Sequence, residues 1–283
     1  MRDLRGRTAI ITGAAGGIGP FITRELAAEG LNLVLASRSR DEIESLLVYV
    51  RKMNVSAIGI ATDIRELVSL ESLVKTAHEQ FGTIDILVNN AGINNVLAFH
   101  ELNSEDIQRI MSVKLIAPML LSRMVLPGMI ARGSGHIVNI SSLAGEVGTP
   151  FCEPYGSSKA GLIGFTRSLR MEYRKVGVSA SAVCPGFVTA GQYRKLVEET
   201  GLEAPKIVGT SRPEEVGRSV LRAIKNDIGH ILVSPMRTKF FVKVANVSPQ
   251  AGELLMNLLG VVDWLKNIDD IRKRRGLRGD TRP

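Results

Sequence analysis

The sequence predicts an α/β fold: a doubly wound, mainly parallel sheet with helices on both faces. Three observations predict it. Short apolar runs alternate with amphipathic stretches along the chain. The runs are apolar on both faces, as strands covered by helices on either side are. A glycine-rich turn, TGAAGGIG, ends the first run and opens the first amphipathic stretch.

The strand-like runs are TAIITG, LNLVLAS, SAIGIATD, IDILVNN, GHIVNISS and VSASAVCPG, with HILVS near residue 230 as the last. Gly, Asp, Asn or Ser marks their ends. Between them, Glu42, Ile43, Leu46, Leu47 and Val50 show helical spacing, as do Leu67, Leu70, Leu73, Val74 and Ala77. TSRPEEV reads as a helix start, with Ser211 and Glu214 as a capping box and Pro213 in the first turn. Residues 190–212 are polar and rich in Gly and Pro, and predict a loop or short helical lid. From 236 to 283 the chain reads as a helical extension with a basic tail. Within it, AGELLMNLLGVVDWLKNIDDIRKRR predicts one amphipathic helix packing on the body or on a second subunit.

The 283 residues, 45% of them apolar, suffice for one domain with a sizeable core, spanning about 4–235. Aromatics make up 5%, so Val, Ile, Leu and Ala must build that core. The two cysteines, Cys152 and Cys184, offer neither a disulfide framework nor a metal-ligand spacing and read as small buried hydrophobes, which suits a reducing cytoplasm. The N-terminus lacks a signal-peptide pattern. The densest apolar region, Leu115 to Ala131, is broken by Pro118, Arg123 and Pro127. Net charge is +8, and residues 266–283, with seven basic and three acidic side chains, carry +4 of it. That tail reads as a solvated, partly disordered terminus. Two other readings compete. Docking on a membrane surface would use Leu254, Leu255, Leu258, Leu259, Val262 and Leu265 beside the basic end. Nucleic-acid binding is disfavoured because the tail lacks interleaved aromatics.

Chemistry is concentrated at four places. In the glycine turn, Gly13, Gly17 and Gly19 allow positive φ and close approach of a pyrophosphate, with Ile18 beside them and the helix amides beyond. The second strand ends in LASRSR, where folds that prefer NAD(H) place an acid for the ribose 2′-hydroxyl. Ser37 and Arg38 there suit a 2′-phosphate instead, so NADP(H) is expected over NAD(H). Asp63 ends the third strand, with Ile64 next to it, and would either accept from an adenine amino group or cap the next helix. Finally, YGSSKAG puts Tyr155 and Lys159 four apart on one helix face. An ammonium there stabilises phenolate and fits the tyrosine to exchange a proton with a carbonyl or alcohol oxygen. Ser142, in NISSLAG, supplies a second hydroxyl at a strand end.

With NNAG at Asn89–Gly92 and Pro185–Gly186, these motifs resemble the short-chain dehydrogenase/reductase family over about residues 4–235. The resemblance implies a three-layer Rossmann fold with a mainly seven-stranded sheet. It implies hydride transfer between nicotinamide C4 and a carbonyl or alcohol carbon. It assigns Tyr155 as acid/base, Ser142 to the substrate oxygen, and Lys159 to lowering the tyrosine pKa and holding the nicotinamide ribose. Asn89 and its neighbours Asn90, Ala91 and Gly92 would support the cofactor, and Pro185, Gly186 and Val188 would lie along the carboxamide. Helices near 105–131 and 155–175 would form a dimer interface, within a homodimer or homotetramer.

The sequence departs from the family at three places. Lys114 stands where a catalytic asparagine is common. Thr189 falls one place before the usual hydroxyl position, which is Ala190 here. HILVSPMRTKFFVKV replaces a Gly-Gly pair, which favours a hydrophobic alcohol or lipid-like ketone over a ketoacyl-carrier-protein substrate. A non-catalytic NADP-binding regulator is the alternative from another class, and the intact Ser–Tyr–Lys set speaks against it.

Overall fold

The computed structural model describes residues 3–93 and 96–277. In chain order the elements are β1 (Thr8–Thr12), α1 (Gly19–Ala28), β2 (Asn32–Ser37), α2 (Arg40–Arg51), β3 (Ala57–Ala61), α3 (Leu67–Phe81), β4 (Ile86–Asn89), α4 (Ser104–Met111), α5 (Ala117–Ala131), β5 (Gly135–Ile140), α6 (Glu153–Tyr173), β6 (Val178–Pro185), α7 (Gly191–Thr200), α8 (Pro213–Lys225), β7 (His230–Val233), α9 (Met236–Val247), α10 (Pro249–Leu258) and α11 (Val261–Arg274). The seven strands pair in parallel in the order β3-β2-β1-β4-β5-β6-β7. The order reverses between β1 and β4, and a crevice forms at the strand ends there.

Strand periodicity of two sends alternate side chains to opposite faces. Ala9 and Ile11 of β1 join the core under α1, α2 and α8, with Ile22, Leu26, Ile43, Leu47, Val216 and Val220. Ile10 joins the opposite core, with Leu70 and Leu73 of α3 and Leu121, Val125 and Met129 of α5. Local chemistry sets the helix ends. Ser39 caps α2 by accepting from the Glu42 amide at 3.3 Å, and Asp41 and Glu42 lie in its first turn. α4 is capped by Asn103, which accepts from the Asp106 amide at 2.7 Å.

α4 and α5 are one continuous helix, joined by a π turn at 112–116. Residues 104–131 are long and apolar enough to cross a membrane by length and composition. In the fold, Leu121, Val125 and Met129 of this helix are buried in the sheet core.

Four expectations need correction. α8 begins one residue later than the predicted box. Its N-cap is Arg212, whose amide donates to the Glu215 carboxylate at 3.1 Å. Ser211 is instead held in a bridge with Val188. The predicted C-terminal helix is two helices, because Gly260 takes a left-handed φ of 67° between α10 and α11. Up to residue 277 the tail is anchored, and it is helical to Arg274, although Lys266 and residues 273–276 are exposed. Lys273 lies 2.7 Å from Asp269 and 2.8 Å from Glu101, and the buried Asp269 accepts from the Ala98 amide at 3.1 Å. Arg278, Asp280 and Arg282, the rest of that tail, lie outside the described residues. The six apolar residues proposed for membrane docking share no outer face. Leu265 is buried and Leu255, Leu259 and Val262 line the cleft, leaving Leu254 and Leu258 exposed.

Asp227, in the turn before β7, ties α6 to β6. Arg170 lies 2.6 Å and Arg174 3.0 Å from its carboxylate, and Ser179 donates to it. Burial alone would raise its pKa, but these partners outweigh burial and hold it at about 2. A carboxyl depressed in the fold stabilises above its ordinary value of 3.8 and loses that contribution as pH falls through about 2. Asp227→Asn should lower the melting temperature at neutral pH. It should also shrink the stability difference between pH 4 and pH 2, read by thermal melts at both.

Candidate active site

A cleft of about 1570 Å³ opens at the carboxyl ends of the central strands. One end is built by the glycine turn after β1. Gly13 has φ 62°, and a Cβ on it would fall 2.7 Å from the Ala91 Cα. Only glycine fits there. Gly17 (φ 56°) faces Gly191 at the start of α7, where an added Cβ would sit 2.9 Å from the Gly17 Cα, so the lid helix starts against the turn. The Asn90 side chain donates to the carbonyls of Thr12 (3.1 Å) and Gly13 (2.9 Å) and holds the turn from behind. This cradle, with the α1 amides beyond it, fits a dinucleotide pyrophosphate.

Gly13, Gly17, Ile18, Ser37, Arg38, Asp63, Ile64, Asn90, Ala91, Gly92, Ser142, Tyr155, Lys159, Pro185, Gly186 and Val188 all line the cleft. Gly19 does not. Its amide donates to the Gly16 carbonyl at 2.9 Å, and its Cα is packed against the Gly13 and Ala14 carbonyls, so it shapes the turn. Asn89 is also turned inward, donating to Asn139 at 2.8 Å between β4 and β5. Thr189 is off the cleft, with its hydroxyl toward the Ser211 carbonyl. Gly16, Thr62 and Arg65 line the cleft without having been singled out. Their types carry no pattern that separates them from ordinary turn residues.

At the ribose end, Arg38 is exposed and makes no hydrogen bond or ion pair among the described residues, leaving its guanidinium free to grip a phosphate. Asp63 does not cap α3, whose N-cap is Glu66. Its carboxylate is taken by Arg65, whose Nε donates to both oxygens at 3.0 Å, and this bond holds its pKa below the usual value.

The other end brings three side chains together. Ser142 lies two residues after β5, accepts from the Ala144 amide at 3.2 Å and donates to the Pro185 carbonyl at 3.4 Å. Tyr155 and Lys159 lie on the first turns of α6. The buried Lys159 donates to the Ile140 carbonyl at 2.5 Å, and its own carbonyl accepts from Ser141 at 2.8 Å. Burial pushes the Tyr155 phenol up to about 12, against a hydrogen bond from Ser142 that favours phenolate. Burial likewise pushes Lys159 down to about 8. The expected lowering of the phenol by Lys159 is therefore reversed here. Its Nζ lies 5.9 Å from the ring centroid, and desolvation of the phenol dominates the shift.

Lys114 points inward. It sits on the π turn, 5% exposed, with its Nζ 5.2 Å from the Tyr155 ring centroid and packed against Gly92. Burial and then the neighbouring Lys159 hold its pKa well below the usual lysine value. The cleft thus contains two buried amines. Behind Ser142 lies a group that spacing did not reveal. Glu146 meets His230 at 2.9 Å and Cys184 at 3.6 Å, and all three ligand-type atoms fall within 4.8 Å of one another. Asn246 also reaches Glu146, at 3.4 Å, so its carboxylate is satisfied by protein groups.

The short chain dehydrogenase family model matches residues 7–201. A ketoacyl reductase of Nostoc sp., HetN, is 38% identical over 281 residues, covering 98% of this chain and 97% of the relative. A metagenomic short-chain oxidoreductase solved with NADP superposes at TM-score 0.71 and 30% identity, over 83% of this chain and 99% of its own. A variant of the actinorhodin polyketide ketoreductase solved with NADPH superposes at 0.78 and 31%, over 82% and 97%.

Arg38→Ala should raise the KM for NADPH roughly ten- to a hundredfold, the loss of one charge-assisted phosphate contact, and barely move that for NADH. Initial-rate assays with both cofactors check this. Lys114→Asn should leave turnover within about tenfold, close to 1.4 kcal/mol in barrier height. A much larger loss would give Lys114 a catalytic role of its own.

Proposed function

Because this chain belongs to the short-chain dehydrogenase family, we propose that it is an NADP(H)-dependent ketoreductase, reducing the 3-oxo group of an acyl substrate to a secondary alcohol. One observation carries the reading. Ser142, Tyr155 and Lys159 line the same cleft as the glycine cradle and the unpaired Arg38. The NADPH-bound ketoreductase and the Nostoc ketoacyl reductase support the cofactor and the substrate class. The Nostoc relative matches through the C-terminal segment too, so that end, read from sequence as disfavouring ketoacyl substrates, is compatible with them.

NADPH, when bound, supplies the hydride to the carbonyl carbon. The protein's own groups handle the oxygen. Ser142 orients it through its hydroxyl. Tyr155, whose phenol stays protonated at neutral pH, donates its proton as negative charge develops. The Lys159 ammonium favours the phenolate left behind, and the proton is replaced from solvent. The reverse reaction, alcohol oxidation, uses the same groups in opposite protonation states.

The reading extends to a cytoplasmic enzyme that pairs through α5 and α6. Support for the pairing comes from Met119, Ile130 and Met171, which are 37%, 38% and 84% exposed on those helices.

Tyr155→Phe should cut ketone reduction by at least about a hundredfold with NADPH binding retained, as loss of a general acid does. Wild-type rates in that variant would sink the assignment. The pH profile has a definite sign. The active form carries protonated Lys159, so kcat/KM for reduction should hold below about pH 8 and fall above it. Tyr155, at about 12, stays protonated across that range.

A further inference from the structure

The apolar end of the cleft is built by helices outside the family match at 7–201. α11 contributes Val261, Trp264 and Leu265 to the lining, all at most 8% exposed. These side chains share one apolar cluster with Tyr155, Phe187 and Tyr193. The Trp264 ring meets Phe187 edge-on at 5.0 Å between centroids, and Phe187 meets Tyr193 at 5.4 Å. The phenol of the reacting end and the indole of the far end thus belong to one continuous apolar wall. The Trp264 indole N–H is buried without a partner among the described residues, so apolar contact alone holds this ring.

Charges pin the wall in place. Arg275 donates to the Glu199 carbonyl at 2.5 Å, and Arg272 lies 3.7 Å from the Glu199 carboxylate, which fastens α11 to the end of the lid helix α7. Asp269 and Lys273 fasten it to the segment 98–101 on the other side. α11 therefore sets the distance between the lid and that segment. The cleft also exceeds the roughly 300–1,000 Å³ of a single small-ligand site, leaving room for a second apolar ligand part beside a dinucleotide.

We propose that α11 reads the chain length of the substrate: the unbranched apolar tail of a 3-oxoacyl group lies along this wall and ends against Trp264, a specificity-determining residue. The proposal rests on the ketoreductase reading above and adds to it the nature of the tail and the side chain that selects it. Each methylene the wall buries raises kcat/KM by up to about fourfold, the ratio corresponding to full burial of one CH2.

Two measurements test it. Trp264 is the chain's single tryptophan, so intrinsic emission reports on the wall directly. Saturated acyl N-acetylcysteamine thioesters, which have no ketone to reduce, are titrated in a series from butyryl to palmitoyl. Emission should shift only beyond a threshold length. In parallel, kcat/KM is measured for the matching 3-oxoacyl thioesters with wild type, Trp264→Leu and Trp264→Ala. The long-to-short ratio should rise about tenfold in Trp264→Ala, which removes the stop at the end of the wall. Trp264→Leu, which keeps an apolar filler, should move the preferred length upward by a few carbons and serves if the alanine variant does not fold. Equal losses at every length, or emission indifferent to all chains, overturn the proposal. An emission threshold without turnover of any 3-oxoacyl thioester would leave the wall standing and remove the ketoreductase reading. Strong turnover independent of length, with silent emission, would do the reverse.

Discussion

Parallel strands leave their polar ends side by side at one edge of the sheet, and the hydrogen bonds between Thr12 and Asn90 join those ends across the β1–β4 switch. Thr12 accepts from the amides of Asn90 (3.0 Å) and Ala91 (3.2 Å), while Asn90 returns two bonds to the turn carbonyls. The strap continues behind the cleft. Asn89 donates to Asn139, and Asn139 donates to Thr166 of α6 at 2.8 Å. The glycine cradle and the helix that carries Tyr155 and Lys159 are therefore fixed to one buried polar network. The donors of this network are paired, while the buried Oδ1 atoms of Asn89 and Asn90 have no partner among the described residues. Each bond it makes still fixes position, because a misplacement leaves a further buried donor unpaired.

That rigidity makes an unusual charge arrangement tolerable. Two lysines, Lys114 and Lys159, share a cleft wall with a phenol, and burial works against the charged form of all three. Burial and the neighbouring Lys159 hold the Lys114 pKa well below the usual lysine value, and burial keeps the Tyr155 phenol protonated. Lys159 has the Ile140 carbonyl to accept from its ammonium and titrates near 8, closer to working pH than either neighbour. The two lysines differ in environment, and the difference follows from the Ile140 carbonyl that accepts from Lys159. It could not be assigned from residue type, since both cations are lysines.

The C-terminal helices convert a cofactor fold into a shaped site. Glycine at 260 breaks what would have been one helix, and the break lets α11 turn back over the cleft with Trp264, Leu265 and Ile268 inward. The basic residues of that helix are then placed where acids from two other segments meet them. A stretch that looks like a charged tail in one dimension acts as a fastener in three.

The sheet, its parallel sense, the glycine turn and the gathering of Arg38, Ser142, Tyr155 and Lys159 on one cleft were legible from the sequence, because each rests on short-range rules. These are strand hydrophobicity, glycine at positive φ, and the i to i+4 geometry of one helix. Other features depended on neighbours that sequence spacing does not specify. Asp63 went to Arg65, Ser211 ceded the cap to Arg212, and Asn89 and Gly19 faced inward. Glu146, Cys184 and His230, far apart along the chain, met behind the catalytic loop. The sign of the phenol's pKa shift was likewise decided by depth of burial, a property of the whole packed molecule. Local propensity chooses elements and turns. Only the folded chain sets which polar groups are stripped of water and which partner each then finds.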